Sequence, residues 1–470
     1  MRSLILFLTS FFFISCGTES EETIENEIVH WDANTIVFTP VDIQGNLLIK
    51  QKIKPLNGMG NGPLYTYQNG HFINDWTNSF KDLNIPIIRF HDIEYFNAQN
   101  KAINISAIFP DEQADALTEA SYDFTATDQL MKAAMSTGAK IIFRLGENIQ
   151  NIGSATGSNK PPKDFHKWAK IAERIVAHYE DGWNDGYFYK NIMWEVWNEP
   201  DVEKCWDGTF DDYCEFYKIV WQCIHTLHPK ADISPSYAYD KENRTKLYQF
   251  IIQNNLDIKH CFYHRYWDNF STVEEYTTDL KNELKQFGLE ADIIMNEWNF
   301  LSSEDNFNNN DLGKTFIAIQ TPLIATWYAQ QLIHMQAAEN LAGAVYYTSD
   351  MPGLWTGLYR LNNTGDIVLL PTYDIFKYFG ELYKLGNEIA ADNLPEDISA
   401  LAASDGKEMG IMVVNYSDKK KNTKIAINNI SLQNRDILIN EIPYQLDSEY
   451  IDIEMSHYEV SFISISELKQ

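Results

Sequence analysis

The sequence predicts a (β/α)8 barrel, an α/β TIM-barrel fold, followed by a small C-terminal antiparallel β-sandwich. Three observations carry this. From about Ile53 to Leu385 short apolar runs alternate with amphipathic stretches. Roughly eight strand–helix units fall within about 330 residues, a length that suits a barrel with insertions. After about Gly386 the pattern changes to short strands separated by Asn, Asp, Ser and Lys clusters,.

Taken in order, the barrel-strand candidates are Ile53–Leu56, Pro86–Phe90, Lys140–Leu145, Ile192–Trp197, Asp232–Tyr237, His260–Tyr266, Asp292–Glu297 and Ala342–Tyr347. Between them, 165–179, 213–225 and 273–287 read as helices. In the first of these Phe165, Trp168, Ala172, Ile175, Val176 and Tyr179 recur at helical spacing,. No glycine-rich phosphate fingerprint follows the first strand, which favours the barrel over an open doubly wound sheet. In the tail, 411–414, 423–427, 436–439, 450–453 and 460–465 read as strands. A strand near Ile28 to Phe38 precedes the barrel and is expected to join the small sheet. The expected organisation is therefore a strand-bearing segment 29–44, a barrel 45–386 and a sandwich 387–470.

The front of the chain reads differently. Met1-Arg2-Ser3, an apolar run from Leu4 to Ile14, and Ser15-Cys16-Gly17 have the pattern of a secretory signal, too short to span a bilayer permanently,. Phe13-Ile14-Ser15-Cys16 resembles a bacterial lipobox, which makes residues 1–15 a signal peptide and Cys16 the lipidated residue. Residues 16–28 form an acidic tether. The expectation is an exported outer-membrane lipoprotein, facing the cell surface or the periplasm. Of the remaining cysteines, Cys214 and Cys223 sit nine positions apart on one helix, roughly 13 Å of rise and too far for a disulfide. Cys205 and Cys214 are spaced to pair across a loop in an oxidising compartment. No Cys/His spacing suits zinc.

Composition bounds the function. The net charge of -29 repels nucleic acid and disfavours a polyanionic substrate unless a local basic pocket overrides it. Solubility of an exported protein explains the acidity more simply. Aromatic residues make up 14% of the chain, with 12 Trp and 26 Tyr, which suits both core packing and flat sugar-binding faces.

Barrel active sites lie where strands end and loops begin, so the polar residues there are the candidates. Strand two gives Arg89, His91 and Asp92. Strand three gives Arg144 and Glu147. Strand four gives Asn198 and Glu199, strand six His264, Arg265 and Tyr266, and strand seven Asn296 and Glu297. Glu199 and Glu297 stand about three units apart, across the barrel mouth. One protonated carboxyl and one carboxylate are the equipment for cleaving a glycosidic bond, and environment must separate their pKa values. No metal or organic cofactor is required for that chemistry. Glu195, four residues before Glu199, reads as a buried structural acid; Asp201 and Glu203 read as solvated loop.

The chain resembles glycoside hydrolase family 39. The resemblance rests on Ile88-Arg89-Phe90-His91, on Glu195-Val196-Trp197-Asn198-Glu199-Pro200-Asp201, on His264-Arg265-Tyr266, on Asn296-Glu297-Trp298-Asn299, and on the exit from Gly357-Leu358-Tyr359-Arg360 to Pro371. It implies Glu199 as acid/base and Glu297 as nucleophile. It further implies Asn198 on the hydroxyl beside the anomeric carbon, Tyr266 orienting Glu297, His91 on a non-reducing-end hydroxyl, and His264 at the floor. Many relatives carry Trp before the Thr of strand eight, where this chain has Tyr347-Thr348; Trp355 then becomes the candidate aromatic platform. The insertion 306–310 is a second departure. Known activities of the family include β-xylosidase and α-L-iduronidase. The leading expectation is an exo-acting, retaining, β-xylosidase-like enzyme on oligosaccharides. The alternatives are a hydrolase of uronic or sulfated glycans, using Arg89, Arg144, Arg265 or Arg360, and a non-catalytic carbohydrate-binding lipoprotein. Oligomeric state is not legible in the sequence.

Overall fold

A computed structural model describes residues 32–91, 102–148, 158–269, 273–305, 311–349, 355–362 and 364–466. The signal segment, Cys16, the tether and the insertion 306–310 lie outside the described residues. Among the described residues no helix is long and apolar enough to cross a membrane.

Eight parallel strands make the barrel: β1 (Gly58–Gly60), β2 (Ile87–Phe90), β3 (Lys140–Leu145), β4 (Ile192–Val196), β5 (Asp232–Pro235), β6 (His260–Trp267), β7 (Asp292–Phe300) and β8 (Leu341–Tyr346). The hydrogen-bonded ladder runs β6-β7-β8-β1-β2-β3-β4-β5. The seam between β5 and β6 is bridged by the backbone N–H of His260, which donates to Ser234 Oγ at 3.2 Å. The first strand is Gly58–Gly60, not 53–56. Ile53 and Leu56 are buried, but Pro55 interrupts their run and has no N–H to give a ladder. Its carbonyl instead accepts from the N–H of Ala344 at 3.1 Å.

Alternation along the strands sorts the side chains. Ile88, Phe90, Ile141, Phe143, Trp194 and Val196 point outward into the main core against the helices. Ile87, Ile142, Met193, Phe262, Ile294 and Val345 point inward and fill the lower barrel with a separate apolar plug. Two residues further along each strand, the inward positions become Arg89, Arg144, Glu195 and His264, all buried. The barrel thus holds an apolar layer beneath a polar one, and the polar layer is the floor of the mouth.

The trailing domain is two stacked sheets. One carries Asn387–Ile389, Ile398–Ser404, Met409–Asn415, Glu459–Ser466 and Asp436–Ile439. The other carries Thr35–Phe38, Lys421–Ile427 and Ile451–Met455. Strand Met409–Asn415 is buried along its whole length. Ile411 and Val413 face the second sheet, while Met412 and Val414 join the main core. Most pairings are antiparallel, but Thr35–Phe38 runs parallel to Lys421–Ile427, with Thr35 opposite Lys424 and Phe38 opposite Ile427. The sequence reading passed over Ile398–Ser404, whose alanines carry little β-propensity; burial between two neighbours makes it a strand.

β1 is short because it must lie close to its neighbour. A Cβ on Gly58 would meet the carbonyl oxygen of Ala344 at 2.6 Å. Gly58→Ala is expected to destabilise the fold by about 1–3 kcal/mol, read as a lower urea midpoint; an unchanged midpoint would show that the strands can separate there at no cost.

Candidate active site

Two backbone irregularities build the mouth. At the exit of β4, Trp197 (φ 70°) and Glu199 (φ 42°) are both left-handed, a conformation that costs on the order of 1–3 kcal/mol per non-glycine residue. The cost is met by anchoring. Trp197 donates its indole N–H to the Cys205 carbonyl at 2.8 Å and packs among Trp168, Trp206 and Phe216. Tyr213 donates its hydroxyl to the Val196 carbonyl at 3.0 Å and accepts the Ser236 N–H at 3.0 Å, tying the ends of β4 and β5. The turn aims Asn198 and Glu199 together into the mouth.

In β7 the register slips: Ile294 lies opposite Phe262, but Glu297 lies opposite His264. Two residues of β6 therefore span three of β7. The bulge defeats strict alternation, so consecutive Asn296 and Glu297 both face inward. Asn296 donates to Glu195 Oε1 at 3.0 Å; Glu297 takes its place in the centre.

Arg89 links these groups. It is buried and donates to Glu195 Oε2 through Nε (2.8 Å) and to Glu195 Oε1 through Nη2 (3.1 Å). It also donates to Asn198 Oδ1 (2.9 Å) and to Glu297 Oε2 (2.7 Å). Glu195 completes its set by accepting from Ser236 Oγ at 3.0 Å. Burial opposes its charge, but Arg89 overrides that and holds the carboxyl below its usual range,.

Glu297 also accepts from the Tyr266 hydroxyl, and His91 Nε2 stands 3.9 Å from its Oε2. The Tyr266 ring is bordered in turn by Tyr347 and Trp355, the three rings standing 5.7–6.5 Å apart. Glu199 accepts from His264 Nδ1 at 2.5 Å and from the Tyr239 hydroxyl at 2.9 Å, both on Oε1. Its Oε2 faces the Cys205 thiol at 3.5 Å. His264 Nδ1 lies 3.6 Å from Glu297 as well. Donor atoms of Glu199, His264 and Glu297 all lie within 4.8 Å of one another, a spacing that suits a metal shell. Arg89 and Tyr266 already satisfy Glu297, so the positive charge such a cluster needs is built in.

Burial lowers the pKa of His264, yet the charges of Glu297 and Glu199 and the bond to Glu199 carry it above its usual 6.5. Burial raises Glu199, and the bond and charge of His264 outweigh this, leaving it below its usual 4.5. One proton is thus shared by a coupled pair, resting on the imidazole in the free site.

Several expectations are corrected here. Arg89 and Arg144 are not cations available to an acidic sugar: Arg89 is committed to two glutamates, and Arg144 donates to the His91 carbonyl and the Asn104 side chain. Arg265, which alternates with His264 and Tyr266 and is expected to point away from the lumen, lies with its guanidinium over the Trp267 ring at 4.6 Å, and Arg360 is on the exposed face of the hairpin at Tyr359–Leu361. Cys205 and Cys214 are not joined in a disulfide; the loop turns Cys205 toward Glu199, while Cys214 is buried in helix Phe210–Leu227. Asp201 is not simply solvated, since it accepts the Asp240 N–H at 2.8 Å. Tyr239 and Ser236 carry no sequence signal of a place in the site, and the spacing of Cys205 points to a disulfide rather than to Glu199. The Arg89/His91 spacing of two did signal that both share one face of β2.

A barrel whose mouth holds two such glutamates has the architecture of a glycoside hydrolase. Residues 58–295 match the family described as Glycosyl hydrolases family 39, and the chain belongs to that family. A β-xylosidase of Geobacillus stearothermophilus is 21% identical over 134 residues, which is 27% of this chain and 26% of that enzyme. The chain therefore aligns with about a quarter of the length of that curated relative. Among solved structures, a glucosidase from Croceicoccus marinus superposes with a TM-score of 0.71 at 16% identity, covering 93% of this chain and 99% of the other. A monomeric β-xylosidase from Caulobacter crescentus CB15 gives 0.67 at 15%, covering 93% and 100%.

Two outcomes follow from the site. Glu195→Ala leaves buried Arg89 short of a counter-charge and is expected to cost about 3 kcal/mol in denaturant unfolding; a loss below about 1 kcal/mol would mean Arg89 is satisfied without it. The His264–Glu199 pair gives a pH signature. The raised His264 contributes below about pH 6.5 and is lost as pH rises through its folded value. The lowered Glu199 contributes above about pH 4.5 and is lost as pH falls through its own. The stability gap between wild type and His264→Asn should therefore be widest between those values and narrow on either side. A gap that stays constant from pH 4 to 8 would contradict the ion pair.

Proposed function

We propose that the chain is an exo-acting, retaining glycoside hydrolase of the β-xylosidase type, working by double displacement on oligosaccharides. The observation that carries the retaining reading is the approach of Glu199 and Glu297 oxygens to within 4.8 Å. That is near the ~5 Å of retaining enzymes and short of the ~6.5–9.5 Å that leaves room for an inverting water. The choice of xylose, and of single-unit release, is supported by likeness to the β-xylosidases; the glucosidase neighbour makes glucose the comparison to run beside it.

Glu297 is the nucleophile. Arg89 and Tyr266 each donate to one of its oxygens, fixing the carboxylate beneath the anomeric carbon. Glu199 is the acid/base. The proton it needs is stored on His264 Nδ1, 2.5 Å away, and its movement to Glu199 leaves a neutral imidazole and a carboxylic acid aimed at the leaving oxygen. Once Glu297 is esterified its negative charge is gone. Glu199 then loses a like charge, becomes more readily ionised, and deprotonates the incoming water. Asn198, oriented by Arg89, faces the hydroxyl beside the anomeric carbon, and His91 and Trp355 bound the sugar that carries it. Arg89, Arg144 and Arg265 are engaged elsewhere, and Arg360 lies on an exposed hairpin, which favours a neutral substrate. Delivery to the outer membrane through a lipidated Cys16 is part of the same proposal; Cys16→Ser should move the protein from the membrane to the soluble fraction.

Glu297→Ala is expected to abolish turnover of 4-nitrophenyl β-xyloside, and a 2-fluoro xyloside should leave a covalent adduct on Glu297 in the wild type, found by peptide mass. Glu199→Ala should slow substrates with poor leaving groups by about 10²–10⁴-fold while sparing activated aryl glycosides in the first step. Full activity in Glu297→Ala, or an adduct on another residue, would overturn the assignment.

A further inference from the structure

We propose that Tyr239 is the platform for the leaving-group sugar and at the same time the positioning residue for the acid/base, so that it selects saccharide over simple leaving groups. This rests on the assignment of Glu199 and Glu297 above. In a double displacement the nucleophile lies under the anomeric carbon, whereas the acid/base lies beside the departing oxygen. Side chains gathered on Glu297 therefore enclose the glycosyl unit, and side chains gathered on Glu199 flank the leaving unit. Tyr266 belongs to the first group, with Tyr347 and Trp355 packed beside its ring. Tyr239 belongs to the second: its hydroxyl donates to Glu199 Oε1 at 2.9 Å.

Tyr239 is also 42% exposed, and its loop is built to hold it still. Arg244 donates through Nη1 to the carbonyls of Ala238 (3.1 Å) and Tyr239 (2.6 Å). Its Nε and Nη2 form a two-pronged pair with Glu283 at 3.0 and 3.2 Å, and both residues are buried. The next N–H, of Asp240, donates to Asp201 Oδ2, and the Asp240 side chain caps helix Lys241–Gln253. The Tyr237 ring supports that of Tyr239 edge-on at 4.8 Å. A buried ion pair thus fixes two consecutive carbonyls of a surface loop, and the residue so fixed offers an aromatic ring to solvent beside the acid/base. A pre-fixed ring loses little freedom on binding, and its flat face suits the C–H surface of a pyranose.

The test compares wild type, Tyr239→Phe and Tyr239→Ala on β-1,4-xylobiose and on 4-nitrophenyl β-xyloside, with thermal unfolding of each protein as the folding control. Tyr239→Ala should raise KM for xylobiose about tenfold, a change of about 1.4 kcal/mol, and KM for the aryl glycoside far less. Tyr239→Phe keeps the ring, so xylobiose KM should hold. It removes a hydrogen bond that lowers Glu199, so the limb of the pH–rate profile set by Glu199 should move to higher pH. Equal KM changes on the two substrates in Tyr239→Ala, or an unmoved pH profile in Tyr239→Phe, would overturn the proposal. Turnover of the aryl glycoside by all three proteins reports on the glycosidase reading separately, so the two fail independently.

Discussion

The guanidinium of Arg89 is buried in the polar layer of the barrel, and the arrangement of the mouth follows from how its charge is met. Burial of an arginine is tolerable only if its donors are taken. Here they are taken by three side chains from two strands: Glu195 and Asn198 from β4 and its exit, and Glu297 from β7. One planar cation therefore fixes the relative height of those strands and the orientation of the carboxylate between them. Asn198 and Glu297 are functional candidates, yet they are placed by a residue that need never touch a substrate.

The same economy appears in the backbone. Regular strands would turn Asn296 and Glu297 to opposite faces, and would carry Glu199 onward along β4 rather than into the mouth. A bulge in one strand and two left-handed residues at the end of the other break the regularity where inward-facing groups are required. The aromatic clamp on Trp197 and the Tyr213 bridge between β4 and β5 hold those local departures in place. The departures from regularity lie at the mouth, and hydrogen bonds from Arg89, Tyr213 and Ser236 surround them.

Much of the fold was legible because the strands read as apolar runs and the helices as 3.6-residue stripes. β2 through β8 fall within a few residues of their expected bounds. β1 was misplaced because a three-residue strand rich in glycine carries no pattern, and Ile398–Ser404 was missed because its alanines are shaped by burial rather than propensity. In the site, Glu199 and Glu297 announce themselves as charges closing apolar runs. Tyr239 and Cys205 do not: each lies on a loop whose path is set by distant partners, Glu283 through Arg244 for one and the Trp197 indole for the other. The role of Arg89 was half visible, since its spacing from His91 gives its face but not its three partners.

The parallel strand Thr35–Phe38 has a further bearing on how the chain comes into being. Its partners lie at the far end of the sequence; the side chain of Asn428, for example, donates to Thr39 across 389 positions. The sandwich therefore lacks one of its strands until that segment returns, and Ile36 and Phe38 find their neighbours only among residues from Ile389 onward. Long-range pairing of this kind is slow, and it leaves an apolar edge uncovered while the chain folds. Assembly of the sandwich is thus the step that waits for Thr35–Phe38 and Lys421–Ile427, separated by nearly the full described chain, to meet.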